Sequence, residues 1–219
     1  MIWPFICVDN FFEDPLKVKE FAYSLKYFKS PEGRWPGLRT EYMHEVNYNF
    51  FNYTTKKIIS LIYPINSRDA TWFAEQTFQR IPGNLFKNKG WIHTDANYEF
   101  TAIIYLSDHK NCGTSIYKPK NLGAVPINEQ RKRERYLNIN EKTEKEEKEF
   151  LKENNDQFEK TLEVPSIFNR LIIFDAANFH AAENFHNENI KEDRLTLITF
   201  FKNIQIPNIK YPIPEMRRI

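Results

Sequence analysis

The spacing of apolar residues switches at Ala70, and that switch constrains the fold more than any other feature of the chain. Before it, two stretches carry helical spacing. After it, short runs rich in aromatic and β-branched residues follow one another with turn signals between them. Residues 71–81 (TWFAEQTFQRI), 100–106 (FTAIIYL), 112–117 (CGTSIY), 171–174 (LIIF), 179–182 (FHAA) and 193–201 (DRLTLITFF) each predict a strand. The run at 100–106 is apolar enough for burial on both faces, and the run at 112–117 is entered through Gly113. Residues 5–8 (FICV) predict a further short buried strand. Pro82, Gly83 and Asn84 mark a turn, and residues 87–90 a loop. Many short strands after two helices imply a mainly β core with supporting helices.

The helices are signalled at their starts. Asp14-Pro15 pairs an N-cap acceptor with a proline suited to the first helical position. Val18, Phe21, Ala22, Leu25 and Phe28 then recur at helical spacing, predicting a helix over 16–28. Residues 33–36 read as a loop. Residues 48–62 predict a second helix with Phe51, Thr55, Ile58, Ile59 and Ile62 as its inward stripe, ended by Pro64 and Asn66. The two helices would cover one face of a sheet. Across about 122–160 the composition changes: Glu, Lys, Arg and Asn dominate, charges alternate in sign, and Tyr136, Phe150, Leu151 and Phe158 are the few apolar anchors. Such a stretch reads as a solvated helical insertion laced by i,i+4 pairs, a lid or partner-recognition element being the alternative. The Pro-rich tail beyond Ile206 reads as an extended strap.

Length and composition bound the class. A chain of 219 residues fits one domain over 1–219 with a core of its own, and 41% hydrophobic with 16% aromatic residues is a globular composition. A formal net charge of +2 gives no global reason to expect nucleic acid or an anionic membrane as partner. Two cysteines, Cys7 and Cys112, exclude a Cys-rich zinc site and fit a reducing compartment better than a disulfide framework. Asp9 interrupts the apolar N-terminal run, which has no basic flank, so the expectation is a cytoplasmic protein without a membrane span.

The chemistry-bearing residues are few. Trp91-Ile92-His93-Thr94-Asp95 carries His-x-Asp, and in extended chain residues two apart share a face. Far downstream, the apolar run ending at Phe174 leads through a short turn to His180, and Arg194 opens the last strand. Two imidazoles and one carboxylate on one side of a metal form the ligand set of non-haem Fe(II) oxygenases. His186 rivals His180 as the second imidazole, but it sits in a polar run (NFHNEN), whereas His180 keeps a strand-turn-strand order. His44 and His109 have nothing near them in sequence to complete a site. Asp175, Asn178 and Asp193 suit turns and caps.

In this order of motifs, over roughly residues 79–201 with the charged insertion excluded, the chain resembles the 2-oxoglutarate- and Fe(II)-dependent dioxygenases, and within them the prolyl-4-hydroxylase-like branch. The resemblance implies a double-stranded β-helix (a cupin-like jelly roll) with the N-terminal helices on one face and the metal at its mouth. It implies Fe(II) on His93, Asp95 and His180, with 2-oxoglutarate as cosubstrate, dioxygen as oxidant and ascorbate as an accessory reductant. Arg194 would meet the distal carboxylate of 2-oxoglutarate, since a guanidinium offers a bidentate fork. Thr196 lies on the same strand face and Tyr105 matches a tyrosine that contacts the same carboxylate; a plain core role for Tyr105 stays open. Relatives often carry a tyrosine just before the metal motif, and residues 78–83 (FQRIPG) have none. The implied reaction is hydroxylation of a C–H bond, of a prolyl residue in a peptide or protein by this branch, or of a small molecule or free amino acid. A Zn(II) hydrolase on the same three ligands and a non-catalytic β-barrel binding module are readings from other classes. A nucleic-acid substrate has no basic-aromatic stripe to support it.

Overall fold

Antiparallel pairing of distant segments sets the architecture. The computed structural model describes residues 5–63, 69–83, 90–95, 97–121, 123–124, 130, 133–134, 143–185 and 191–206. Within them β1 (Ile6–Val8), β2 (Phe28–Lys29), β3 (Leu38–Arg39), β4 (Thr71–Ile81), β5 (Phe100–Tyr105), β8 (Leu171–Asp175) and β10 (Arg194–Gln205) form a seven-stranded sheet in the order β1-β8-β5-β10-β4-β3-β2. A second sheet has the order β7-β6-β9, from β6 (Thr114–Pro119), β7 (Phe158–Val164) and β9 (Phe179–Ala182).

Period-two alternation gives the large sheet two unlike faces. Ala74 and Phe78 of β4, Ala102 and Ile104 of β5, and Leu195, Leu197 and Phe201 of β10 point one way. They pack against Ala22 of α1 (Pro15–Ser24) and Ile58, Ile59 and Ile62 of α3 (Tyr48–Ile62). Each fully buried Leu, Ile or Phe side chain among them contributes about 1.5–3 kcal/mol. The other face meets the small sheet: Tyr105, Ile172 and Phe174 pack on Ile116 and Val164. The two sheets therefore face each other as a jelly roll.

Helix α1 starts as the sequence predicts, with Pro15 in the first turn and the Asp14 side chain accepting the Lys17 N–H. It stops at Ser24 rather than running to Phe28. The Ala22 carbonyl, near the end of the helix, is taken by the Leu25 N–H and the Tyr27 hydroxyl, and Leu25 is already extended. Phe28 then enters β2, and residues 38–39 return as β3, a small hairpin that local propensity does not announce. A further short helix, α2 (Met43–Val46), precedes α3 and carries His44 stacked on Tyr42. Helix α3 has the predicted bounds.

Three further expectations are corrected. Residues 5–8 do not form a buried strand: β1 pairs only with β8 at the sheet edge, and Cys7 is exposed. The charged stretch is not helical to residue 160. Helix α4 (Glu144–Asn155), started by a Thr143–Glu146 capping box, ends first, and β7 begins at Phe158, whose ring is buried with Ile92, Tyr117 and Ala181. Nor is residues 91–95 a regular strand; it makes a single bridge, His93 to His180. Pro64, Asn66, Asn84, Tyr136, His186 and the tail beyond Ile206 lie outside the described residues. No helix among the described residues is long and apolar enough to cross a membrane.

Candidate active site

His93 and His180 are brought together by main-chain pairing. Their N–H groups donate to each other's carbonyls at 3.1 and 2.9 Å, and their rings lie 4.5 Å apart. Upstream, the Gly90 N–H donates to Ala182 O at 2.7 Å. A Cβ at Gly90 would stand 2.7 Å from the Ala182 nitrogen and 2.8 Å from its oxygen, so the approach needs glycine. Downstream, the Asp95 N–H donates to Ala176 O at 2.8 Å. The chain thus hangs from β9 and the preceding turn, with Thr94 between the two candidate ligands.

The three side chains converge. One ligand atom from each of His93, Asp95 and His180 lies within 4.8 Å of the others. The Asp95 carboxylate is 3.7 Å from His93 Nε2 and 3.3 Å from His180 Nε2. Each imidazole turns Nδ1 to a main-chain carbonyl two residues earlier, Trp91 O at 2.8 Å and Asn178 O at 2.9 Å. A carbonyl only accepts, so Nδ1 carries the proton in the neutral ring and Nε2 presents its lone pair to the cluster. Burial alone would raise the Asp95 carboxyl. In their charged form the two imidazoles, His180 foremost, together with the Thr101 hydroxyl donating at 2.8 Å, outweigh it and hold Asp95 below the ordinary carboxylate range. The donor set, two Nε2 and one carboxylate, suits a divalent transition metal with open positions.

Arg194 lies on the same cavity of about 610 Å³. It is buried, and burial pushes its guanidinium down from the usual arginine value. Its Nε donates to Cys112 O at 3.1 Å, and its guanidinium stands 5.9 Å from the Tyr105 ring centre. Among the described residues no carboxylate pairs with it. The contrast is Arg80, whose Nε and Nη2 reach Asp193 at 3.1 and 2.6 Å; Asp193 is thereby an ion-pair partner and not merely a turn residue. Thr196, two residues on, is buried, and its Oγ1 has no hydrogen-bond partner among the described residues. A buried cation and a buried hydroxyl that no described side chain answers, both on the cavity, fit a ligand carboxylate. Tyr105 is fully buried behind that wall and its hydroxyl donates to Thr114 Oγ1 at 2.8 Å.

The outer wall was not foreseen. Trp35, in the stretch read as loop, and Arg39 and Tyr42, in the unassigned residues after it, line the cavity with Tyr98 and Phe200. The Arg39 guanidinium lies 4.9 Å from the Trp35 ring and 5.8 Å from Phe200, and Tyr98 stacks on Phe200 at 4.9 Å. Tyr98 donates to Glu75 Oε2 at 2.6 Å. On β4, Gln79 and Ile81 face the cavity, and the Gln79 amide donates to Pro36 O at 2.8 Å. The signal in sequence was the aromatic and arginine content of residues 35–42, which has no helical or strand period to attach it to a face.

Comparison with solved structures shows the fold. HygX from Streptomyces hygroscopicus, solved with nickel and 2-oxoglutarate bound, is similar at a TM-score of 0.58 and 11% identity, over 90% of this chain and 82% of that one. A further HygX structure also holds hygromycin B. The non-heme alpha ketoglutarate dependent epimerase SnoN from nogalamycin biosynthesis is similar at 0.54 and 12%, over 90% and 77%. An oxidoreductase of the 2OG-Fe(II) oxygenase family from Burkholderia pseudomallei is similar at 0.52 and 12%, over 90% and 84%. The fold is the double-stranded β-helix these proteins share. No curated protein matches the sequence. A family model described as "Family of unknown function (DUF6445)" matches residues 3–201, and the chain belongs to that family.

Proposed function

We propose that this chain is an Fe(II)- and 2-oxoglutarate-dependent oxygenase. The observation that carries the reading is the pairing of two features on one cavity: a convergent His93, Asp95 and His180 cluster, and a buried Arg194 that no described carboxylate answers. His93, Asp95 and His180 would hold the iron, and Arg194 with Thr196 the distal carboxylate of 2-oxoglutarate. When bound, iron, 2-oxoglutarate and dioxygen supply oxidation of a C–H bond, with succinate and carbon dioxide as coproducts.

The chain's own residues bind and orient. Arg194 holds its partner through charge-assisted hydrogen bonds in a dry wall, where such bonds are strong. Thr101 fixes the rotation of the Asp95 carboxylate, and the two main-chain carbonyls fix the imidazole tautomers. Trp91, Ile103 and Ile198 present apolar surface to the cavity and limit water. A Zn(II) hydrolase would leave Arg194 and Thr196 without a task.

The substrate reading from the sequence is a prolyl residue of a peptide or protein, hydroxylated at carbon. A second reading, a small molecule, is favoured by the aromatic lining of the cavity, to which Trp35, Tyr42, Tyr98 and Phe200 contribute. HygX with hygromycin B bound supports it by analogy of fold. The test is succinate release from 2-oxoglutarate by protein loaded anaerobically with Fe(II), measured after oxygen is admitted. Succinate above the His93→Ala background is expected; its absence overturns the reading. Turnover that rises with a proline-rich peptide pool selects the first substrate, and turnover that rises only with small aromatic or sugar-like compounds selects the second.

A further inference from the structure

The stretch bearing His93 is bound on two edges, and β9 accounts for only one of them. On the opposite edge stands the C-terminus of α4. The Ile92 N–H donates to Asn155 Oδ1 at 3.0 Å, and Asn154 Nδ2 donates to Ile92 O at 3.0 Å. Asn155 Nδ2 donates to Gly90 O at 3.1 Å, and the two amides are joined by Asn154 Nδ2 to Asn155 Oδ1 at 2.8 Å. Beside them the Phe150 ring stacks on Trp91 at 5.5 Å. Ile92 therefore has both of its main-chain groups met as a neighbouring strand would meet them, although no described strand lies there. Asn154 is fully buried, which a solvated charged insertion does not require.

We propose that Asn154 and Asn155 are positioning residues for the metal centre, acting as a side-chain substitute for a β neighbour that locks residues 90–92 and so aims His93. The proposal rests on His93 being a metal ligand. The lever is short. Trp91 O, which fixes the His93 tautomer, and the His93 N–H, which pairs with His180, both belong to peptide units adjoining Ile92. Releasing the Ile92 edge frees both ends of that link at once. Hydrogen bonds that orient metal-bound histidines from outside typically command 10–100-fold in metal affinity.

Co(II) binding by the full-length protein, followed by visible absorption, tests this without turnover. The expected result is that Asn154→Ala with Asn155→Ala keeps a native far-ultraviolet spectrum and binds Co(II) about 10–100-fold more weakly than wild type. Thr143→Ala is the control: it removes the capping box at the far end of the same helix, lowering thermal stability while leaving Co(II) affinity unchanged. Equal affinity in the double variant and wild type overturns the proposal, as does an equal loss in Thr143→Ala, which would assign the effect to helix stability. Wild type binding no better than His93→Ala instead overturns the metal reading itself. Should the double variant fail to fold, Asn155→Asp and Asn155→Leu decide. Asp retains the acceptor for Ile92, so its affinity should fall between wild type and Leu; wild-type affinity in both overturns the proposal.

Discussion

The two faces of β10 are built from the same twelve residues and follow opposite rules. Toward the helices, Leu195, Leu197 and Phe201 are fully buried among other apolar groups, and the one polar member, Thr199, accepts from the Gln76 amide at 2.9 Å. Toward the cavity, among the described residues, no carboxylate pairs with Arg194 and no group meets Thr196 Oγ1. On the helix side the loose end is a neutral one, Gln76 Oε1; on the cavity side a cation and a hydroxyl share one cavity. In a native interior that pattern marks a place kept for a ligand, because an unsatisfied buried group costs about 1–3 kcal/mol.

Substitutions on the two faces should separate stability from binding, in order of expected size. Asp95→Ala removes the carboxylate from the cluster and should abolish both metal retention and succinate formation, read by metal analysis of the purified protein and by turnover. Full activity in that variant would refute the ligand assignment. On the helix-facing side, Leu197→Ala should cost about 2–5 kcal/mol of unfolding free energy by the cavity it leaves. Denaturant titration measures it, and the folded fraction should bind Co(II) as wild type does. Arg194→Ala should raise the apparent KM for 2-oxoglutarate by about 100-fold, corresponding to roughly 3 kcal/mol for a charged hydrogen-bonded partner, with metal affinity retained. The smallest effect sharpens the contrast most. Thr196→Val should leave thermal stability unchanged or raise it, since the hydroxyl has no partner to lose, while raising the KM for 2-oxoglutarate several-fold, about 1 kcal/mol. A Thr196→Val protein destabilised by more than about 1 kcal/mol would show that the hydroxyl is a structural group.

The regular half of this molecule was legible because its periods are strong. β4, β9 and α3 have the bounds that β-branching and helical spacing predict, and the order His93, Asp95, His180, Arg194 placed four separated residues on one cavity. What escaped were elements whose reason is tertiary. β2 and β3 are two residues each, too short to carry a period, and exist because β4 offers an edge to pair with. The outer wall of Trp35, Arg39 and Tyr42 follows from that hairpin. The charged insertion misled for a different reason: composition reports the average of a stretch, and the residues that matter there, Asn154 and Asn155, are two polar side chains among many. Their partners are main-chain atoms more than sixty positions away, which no local pattern encodes.

The bridge between His93 and His180 also has a kinetic meaning. It joins segments that are far apart in the chain, so the entropy of closing that loop must be met before the two imidazoles can share anything. If the two imidazoles meet only after the rate-limiting step, the site adds nothing to the transition state. An ion held there would leave the rate of folding nearly untouched and act almost wholly by slowing escape from the native state. The loaded protein should therefore outlast the metal-free one under proteolysis or heat by its slower unfolding, without ever having folded faster.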